Sequence, residues 1–478
     1  MPKKTFDYQK LGLKCGLEIH QQLDTKKLFC NCPSLLRKDE PDFEIKRKLH
    51  AVAGESGEID EAVAYQSSLN KEFVYQGYNT TCLIELDEEP PHEINKEALE
   101  IALQISILLH AKIIPLTQIM RKTVIDGSNT SGFQRTVLIA KDGYIETEKG
   151  RVKIEGICLE EDAARIVEIK KDKAIYRLDR LGIPLVEVTT SPDIKSPFQA
   201  KEVAFYIGNV LRSCKVKRGL GTIRQDVNVS IEKGKRIEIK GVQSLDLIAK
   251  TVEQEIKRQQ ELVEENKKFK SEVRKALPDG KTEFLRPLPG SARMYPETDL
   301  PMLKISRKMM DESKKSLPKL RGDVEEELKN KGLNKEMIKL IFKQNKLEEF
   351  KELLEIVENP NLVAKTLLVF PKEINNKIKV RKKLDKDILA FILEKYKKGK
   401  INEGQIKESL ERIVKGVKIS DAVKFQKTDM RDVEEKIMKI IKEKPGLSEK
   451  AYMGLVMKEF KGKISGREAM EIIKKLMK

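Results

Sequence analysis

At 478 residues the chain is too long for one ordinary domain and fits two or three. Six cysteines over that length exclude a disulfide framework, and the lack of Trp with only 5% aromatic residues argues against a surface built for stacking bases. The formal charge of +18 is uneven: residues 1–300 hold 49 Lys and Arg against 47 Asp and Glu, and residues 301–478 hold 45 against 29, which suggests chemistry in front and a polyanion behind. Lys outnumbers Arg by 72 to 22, however, and solvated lysines on helix faces need no ligand, so charge alone leaves nucleic acid at even odds.

The N-terminus, Met1-Pro-Lys-Lys-Thr-Phe-Asp7, has no apolar run after its lysines, which argues against a secretory leader. KCGLEIHQQL (14–23) reads as a strand, and Glu18 and His20, two apart, leave the same side of it. Cys30-Asn-Cys32 follows in a loop, with Cys82 further on. A helical pattern covers 95–111; its apolar stretch is broken by Glu100, Gln104, His110 and Lys112 and cannot span a bilayer. Strands are expected at 150–159, ahead of Glu160-Glu161-Asp162, and at 183–190, where Glu187 sits in the apolar run PLVEV. A helix behind Ser-Pro-Phe covers 197–214. In the strand at 221–231, Arg224, Asp226, Asn228 and Ser230 share a face; Gly234 then turns the chain, and Glu238 and Lys240 share a face of the strand at 235–241. A helix is expected over 243–270.

Past Pro287-Leu-Pro-Gly290 the composition changes, and from 306 onward the pattern is Lys/Glu/Leu/Ile-rich and helical, punctuated at Pro318, Gly332, Pro360, Pro371, Gly399, Gly416 and Pro445. No period of 20–50 residues repeats. The expected class is α+β: an antiparallel-sheet catalytic domain over 1–300, then an all-helical region over 301–420 and a small helical tail domain over 421–478. The lack of a leader or membrane span leads us to expect a cytoplasmic protein.

An acid inside an apolar strand is costly unless it is paired or bound to a cation. Glu18, His20 and Glu187 stand out on that ground, and carboxylates converging with one imidazole suit a hard ion such as Mg²⁺, which usually arrives with phosphate. The competing reading is that each polar row is the wet face of an antiparallel sheet, the commoner case for any single strand. Structural zinc needs four ligands; Cys30, Cys32 and Cys82 are grouped, with Glu85, His50 or His92 open as the fourth. Cys15, Cys158 and Cys214 lie in apolar contexts and read as core residues. There is no GxxxxGK[ST] loop, no GxSxG elbow, and no serine-amidase or asparaginase-type nucleophile stretch, so the chain is not expected to release ammonia from an amide by itself.

These stretches, LGLKCGLEIHQQLDTKKLFCNCPS (11–34), CLEEDAARI (158–166), DRLGIPLVEVTTSPDI (179–194), RQDVNVSI (224–231), EIKGVQSL (238–245) and RPLPGSARMYPETDLP (286–301), resemble the B/E family of tRNA-dependent amidotransferase subunits. NTTCLIELDEEPPHEIN (79–95) and DGSNTSGFQRT (126–136) are similar to its archaeal E-type branch, and 451–478 resembles the family's tail domain. The resemblance implies an ATP-dependent ligase that phosphorylates the glutamyl side chain of misacylated Glu-tRNA(Gln) and amidates it. It implies a cradle-shaped sheet domain and a metal cluster of Glu18, His20, Glu161 and Glu187 for Mg²⁺. Glu160, Asp226, Asn228, Glu238 and Lys240 would line the ATP and glutamyl pocket, with Arg224, Arg286 and Arg293 on phosphates. Ammonia would come from an asparaginase-like glutaminase, the D-type partner, in a heterotetramer of two D-type and two E-type chains, and the basic rear would bind tRNA.

Two departures stand out. The E-type branch usually carries an insertion resembling an aspartyl-tRNA synthetase domain between KRQQELVEEN (257–266) and KALPDG (275–280), where only eight residues lie here. Glu85 also stands where the zinc pattern of the B form has its fourth Cys, so structural zinc at Cys30, Cys32 and Cys82 is left open. The alternative reading is a non-catalytic tRNA-binding protein of the same descent; the intact acids weigh against it.

Overall fold

A computed structural model describes residues 7–53, 57–290, 293–344, 346–378, 384–425, 430–460 and 466–477. The stretch ahead of Asp7, on which the leader argument rests, lies outside the described residues. The chain forms two compact units, Met1–Arg321 and Gly322–Lys478, where the sequence suggested a first cut at 300.

The alternating segments of the first unit pair into one eleven-stranded sheet. Its strands in chain order are β1 (Lys14–Gln22), β2 (Lys112–Ile113), β3 (Ile119–Thr123), β4 (Phe133–Thr147), β5 (Gly150–Glu161), β6 (Pro184–Thr190), β7 (Ile223–Ser230), β8 (Ile237–Lys240), β9 (Glu272–Ala276), β10 (Thr282–Pro287) and β11 (Met294–Pro296). They lie in the order β10-β9-β8-β7-β1-β6-β5-β4-β3-β11, with β2 paired to β4. All described pairings in this sheet are antiparallel except β8 with β9, which are parallel and joined by a crossover helix. A separate four-stranded sheet, Phe43–Arg47, Glu72–Gly77, Lys173–Arg177 and Arg165–Ile169 in spatial order, closes on Phe73, Tyr75 and Tyr176.

The helices α1 (Glu61–Ser68), α2 (Lys96–Leu108), α3 (Pro197–Ser213), α4 (Leu245–Glu264) and α5 (Arg307–Lys315) begin where the sequence supplies caps. Asn95 accepts the Ala98 N–H at 3.0 Å, and Ser196 caps α3 ahead of Pro197. Leu99, Ala102, Leu103, Val203, Ile207, Val210, Ile248, Val252 and Ile256 from α2, α3 and α4 pack in one core with Cys15, Leu17 and Ile19 of β1. One face of β1 is therefore buried under helices. Strand alternation turns the other, carrying Glu18 and His20, away from them.

The second unit is helical throughout its described residues and holds two separate apolar cores, one drawn from 324–423 and one from 433–473. The helices Arg321–Asn330, Lys386–Lys397 and Glu403–Val414 end alike. Gly332, Gly399 and Gly416 take φ of 84°, 67° and 96°, and the N–H of each following residue reaches back to Leu328, Lys395 or Arg412. Pro371 does not break the chain as its type suggested. It follows a π-helical turn, Lys365–Val369, in which the Phe370 N–H bonds Lys365 O, and that wider turn accommodates a residue with no N–H to donate.

Ile19 is 0% exposed at the centre of the sheet. Ile19→Ala should cost about 2–5 kcal/mol of unfolding free energy, read as a lower denaturant midpoint at unchanged slope.

Candidate active site

Register brings the sheet's polar side chains together. On β1, Glu18 lies opposite Asp226 of β7 and Thr189 of β6, and His20 opposite Arg224 and Glu187. Glu187 in turn faces Cys158 of β5, Leu185 faces Glu160, and Asn228 faces Glu238 of β8. Two groups result, each with ligand-type atoms within 4.8 Å of one another: His20, Glu160 and Glu187, and Glu18, Asp226 and Glu238.

The partners fix these groups in place. His20 Nε2 lies 3.0 Å from Glu187 Oε2, and the Thr189 hydroxyl donates to Glu187 Oε1 at 3.0 Å. Lys122 of β3 donates to Glu160 at 2.7 Å, and Lys240 of β8 reaches Asp226 at 2.8 Å and Glu238 at 2.6 Å. Asn228 Nδ2 donates to Glu18 at 2.9 Å. Burial and the neighbouring Glu238 and Glu187 push the Glu18 carboxyl above its usual range. Burial opposes ionisation of Glu187, but the His20 hydrogen bond and the Lys122 charge outweigh it and hold Glu187 well below. Burial also disfavours His20 as a cation; Glu187, through its bond and its charge, reverses that and raises His20. Lys122 and Lys240 are raised in the same way, each against burial, by the acids they face.

Five carboxylates thus meet two ammonium groups across one sheet face. Such a surplus of buried negative charge, in oxygen donors with a single imidazole, is a donor set that fits a hard divalent cation. Glu18, His20 and Glu187 lie together in this face, as do Glu160, Asp226, Asn228, Glu238 and Lys240. Glu161 does not join them. As the neighbour of Glu160 on a strand it faces the opposite side of the sheet, where it accepts from the Arg135 backbone N–H at 3.4 Å and side chain at 3.3 Å. Arg135 also donates to Glu297 at 2.8 Å, and burial raises the Glu161 carboxyl despite Arg135. The metal-type group with His20 and Glu187 therefore contains Glu160 in place of Glu161. Cys158, expected in the core, is half-buried on the face of Glu160 and Glu187 by the same alternation.

The arginines divide. Arg224 turns to Asp162 at 2.7 Å, a carboxylate that also takes Gln22 Nε2 at 2.6 Å. Arg286 and Arg293 line a small cavity with Asp60, which caps α1 and accepts the Gly290 N–H at 2.6 Å. Burial, then Arg286, lowers the Arg293 guanidinium, while Glu238, Asp60 and Glu160 act to raise it. The sequence reading missed Lys122, Asp60 and Asp162 as site residues. For Lys122 the local pattern carries no signal, since Ile119–Thr123 is short and does not alternate.

Cys30, Cys32, Cys82 and Glu85 form a third group with ligand-type atoms within 4.8 Å of one another. Glu85, rather than His50 or His92, completes it. Its carboxylate is paired with Lys27 at 2.6 Å, both side chains all but inaccessible, and it accepts the Cys82 N–H at 2.9 Å. Hydrogen bonds from Cys30 and Cys32 hold the Cys82 thiol far below its usual value. Three sulfurs and a carboxylate make four donors of a kind that fits zinc.

A family model described as the GatB/GatE catalytic domain matches residues 13–311. The chain is 37% identical to the E-type subunit of glutamyl-tRNA(Gln) amidotransferase from Methanocaldococcus jannaschii over 632 aligned positions, covering 99% of each chain. It is also 37% identical to that of Methanosarcina acetivorans, covering 98% of each. The chain belongs to the GatB/GatE family. The acid-lined face of β1, β5, β6, β7 and β8 lies within the part that the catalytic-domain model matches. An alignment of 632 positions against a chain of 478 means that more than 150 aligned positions of the relative have no counterpart here. Among the described residues, no helix is long and apolar enough to cross a membrane.

Glu160→Gln and Glu187→Gln should each weaken Mn²⁺ or Mg²⁺ binding by about tenfold or more, measured by titration calorimetry. Glu161→Gln should leave that affinity unchanged and instead lower stability by about 2–3 kcal/mol, because it loosens a buried ion pair.

Proposed function

We propose that this GatB/GatE-family chain catalyses ATP-dependent amidation of the glutamyl group of Glu-tRNA(Gln), as the names of its relatives suggest. The observation that carries the reading is the convergence of five carboxylates and one imidazole on one sheet face, held by Lys122 and Lys240 and, 4.0 Å from Glu18, by Arg236. A carboxylate is a poor electrophile, and phosphorylation converts one of its oxygens into a leaving group. In the proposed sequence a glutamyl carboxylate oxygen attacks the γ-phosphorus of ATP and ADP leaves. Ammonia then attacks the acyl phosphate carbon, phosphate leaves, and the surplus proton passes to a nearby base.

Mg²⁺, held by His20, Glu160 and Glu187 and by the neighbouring Glu18, Asp226 and Glu238, would supply the charge neutralisation that lets two anions meet. The chain's own groups do the positioning. Lys122 and Lys240, kept cationic by the acids beside them, offer fixed positive charge to phosphate oxygens without reorganisation. Arg293 and Arg286, on the cavity beside Asp60, are the further phosphate contacts. Glu187 orients the His20 ring, and Asn228 orients Glu18.

The chain lacks an amide-hydrolysing nucleophile motif, which supports an outside source of ammonia: the asparaginase-like glutaminase of the D type, in the two-plus-two assembly expected above. The excess cationic charge after residue 300, with 421–478 as its terminal module, is the proposed tRNA-binding part. We also assign Cys30, Cys32, Cys82 and Glu85 to a structural zinc, with Lys27 as its buried counter-charge.

With ATP, Mg²⁺, Glu-tRNA(Gln) and free ammonium but no glutaminase partner, the chain should form Gln-tRNA(Gln), and Glu187→Gln should abolish ADP release at nearly unchanged tRNA affinity. Tight tRNA binding without ATP turnover would instead make the chain a binding module.

A further inference from the structure

One rim of the acid-lined face carries a basic loop that the chemistry above does not use. Residues 215–222, Lys-Val-Lys-Arg-Gly-Leu-Gly-Thr, connect α3 to β7. The loop is stitched to the end of β1. Gln22 N–H donates to Thr222 O at 2.9 Å and Lys217 N–H to Gln22 O at 3.0 Å. Gln21 Nε2 donates to Lys217 O at 3.0 Å and Thr222 O at 3.1 Å. His20 and Arg224 each stand two residues from these anchors, so the loop borders the site directly.

Two arginines are anchored there. Arg212, half-buried in the last turn of α3, folds back over Gly208, where an added Cβ would stand 3.1 Å from its Nη2. A glycine in mid-helix is a poor choice for the helix, and here it makes room for that guanidinium. Among the described residues, the Arg212 guanidinium donates to Asn209 Oδ1 at 3.1 Å. Arg218 Nη2 donates to the Arg212 carbonyl at 2.5 Å, which ties the second arginine to the first. Neither arginine forms an ion pair among the described residues. The lysines of the same loop do: Lys215 reaches Glu97 at 2.5 Å, and Lys217 lies 3.6 Å from Asp24. Burial, then the like charges of Arg321 and Arg218, pulls the Arg212 guanidinium below its usual value, with no acid acting against them. Gly219 and Gly221 hold φ of 123° and 81°, and Leu220 between them is fully exposed, so nothing in this unit covers the tip.

Arg212, half-buried and without a counter-ion, is costly unless an anion relieves it, and the exposed Arg218 is tied to its carbonyl. We propose that Arg212 and Arg218 form a phosphate-binding site at the rim, which takes backbone phosphates of the RNA whose aminoacylated end enters the acid-lined face. This rests on the reading of an aminoacyl-RNA substrate. A purely structural role, with Arg218 closing the carbonyl end of α3 and Arg212 favoured by its dipole, accounts for one carbonyl contact. It leaves the second, uncompensated guanidinium unexplained.

The test uses the full chain and a fluorescent RNA hairpin with a short acceptor stem and a 3′ single-stranded end. The double variant Arg212→Gln/Arg218→Gln should bind it about tenfold more weakly, and its log affinity against log salt should flatten by about 1.4 for two lost single-strand phosphate contacts. Arg151→Gln, which removes charge at the tip of the β4–β5 hairpin, should bind as wild type does. Unchanged affinity and slope in the double variant overturn the proposal, as does a lowered melting temperature with RNA binding intact. Inorganic phosphate binding that the double variant loses, with RNA affinity unaltered, assigns the site to free phosphate and also overturns it. If wild type forms no Gln-tRNA(Gln) while the RNA arm behaves as expected, the amidation reading fails and the phosphate site stands.

Discussion

The register of β1 is the constraint on which the rest of the structure depends. Cys15, Leu17 and Ile19 go under the helices, so Glu18 and His20 must go the other way, and a slip of one residue would exchange the two sets. Because β6 and β7 both pair with β1, the same choice sets Glu187 and Arg224 opposite His20 and Asp226 opposite Glu18. Apolar burial on one face thus delivers an arrangement of charge on the other. Without that burial the acids would repel one another apart.

The charge arrangement then has its own logic. Lys122 comes from β3, four strands from β1, and Lys240 from β8, two strands away on the other side. Each meets the acids nearest to it, and between them the face keeps more carboxylates than cations. The opposite directions of shift at Glu18 and Glu187, one raised and one lowered, follow from this: His20 and Lys122 outweigh the burial of Glu187, whereas at Glu18 burial and the neighbouring acids outweigh Lys240. A cation arriving between them would relieve the one that is least compensated.

Much of this was legible in the sequence because period-two alternation is a local property. The strands at 14–23, 150–159, 183–190, 221–231 and 235–241 form at those places to within a few residues, as do the helices at 95–111 and 197–214, whereas the helix expected over 243–270 ends at Glu264. The same alternation, applied to the end of β5, separates Glu160 from Glu161 and turns Cys158 toward the acids; a resemblance of motifs does not carry that information. Lys122 and Asp60 lie on or beside elements of five and eight residues, whose place is set by long-range pairing and packing rather than by their own pattern. Pro371 was misleading for a related reason. A π turn is decided by packing around it, and nothing in the local sequence announces one.

The missing stretch of the relatives bears on function through topology. The resemblance locates it between α4 and β9, and here residues 265–271 close that connection, so β8, α4 and β9 still form a parallel crossover. β9 lies three strands from β1, and the groups around His20 and Glu18 draw on β1, β5, β6, β7 and β8 but not on β9 or β10. The connection can therefore be short without moving an acid of the site. Under the proposed function, a chain without that stretch would draw its RNA-binding surface from the basic residues after 300 and from Arg212 and Arg218 on the α3 side of the site.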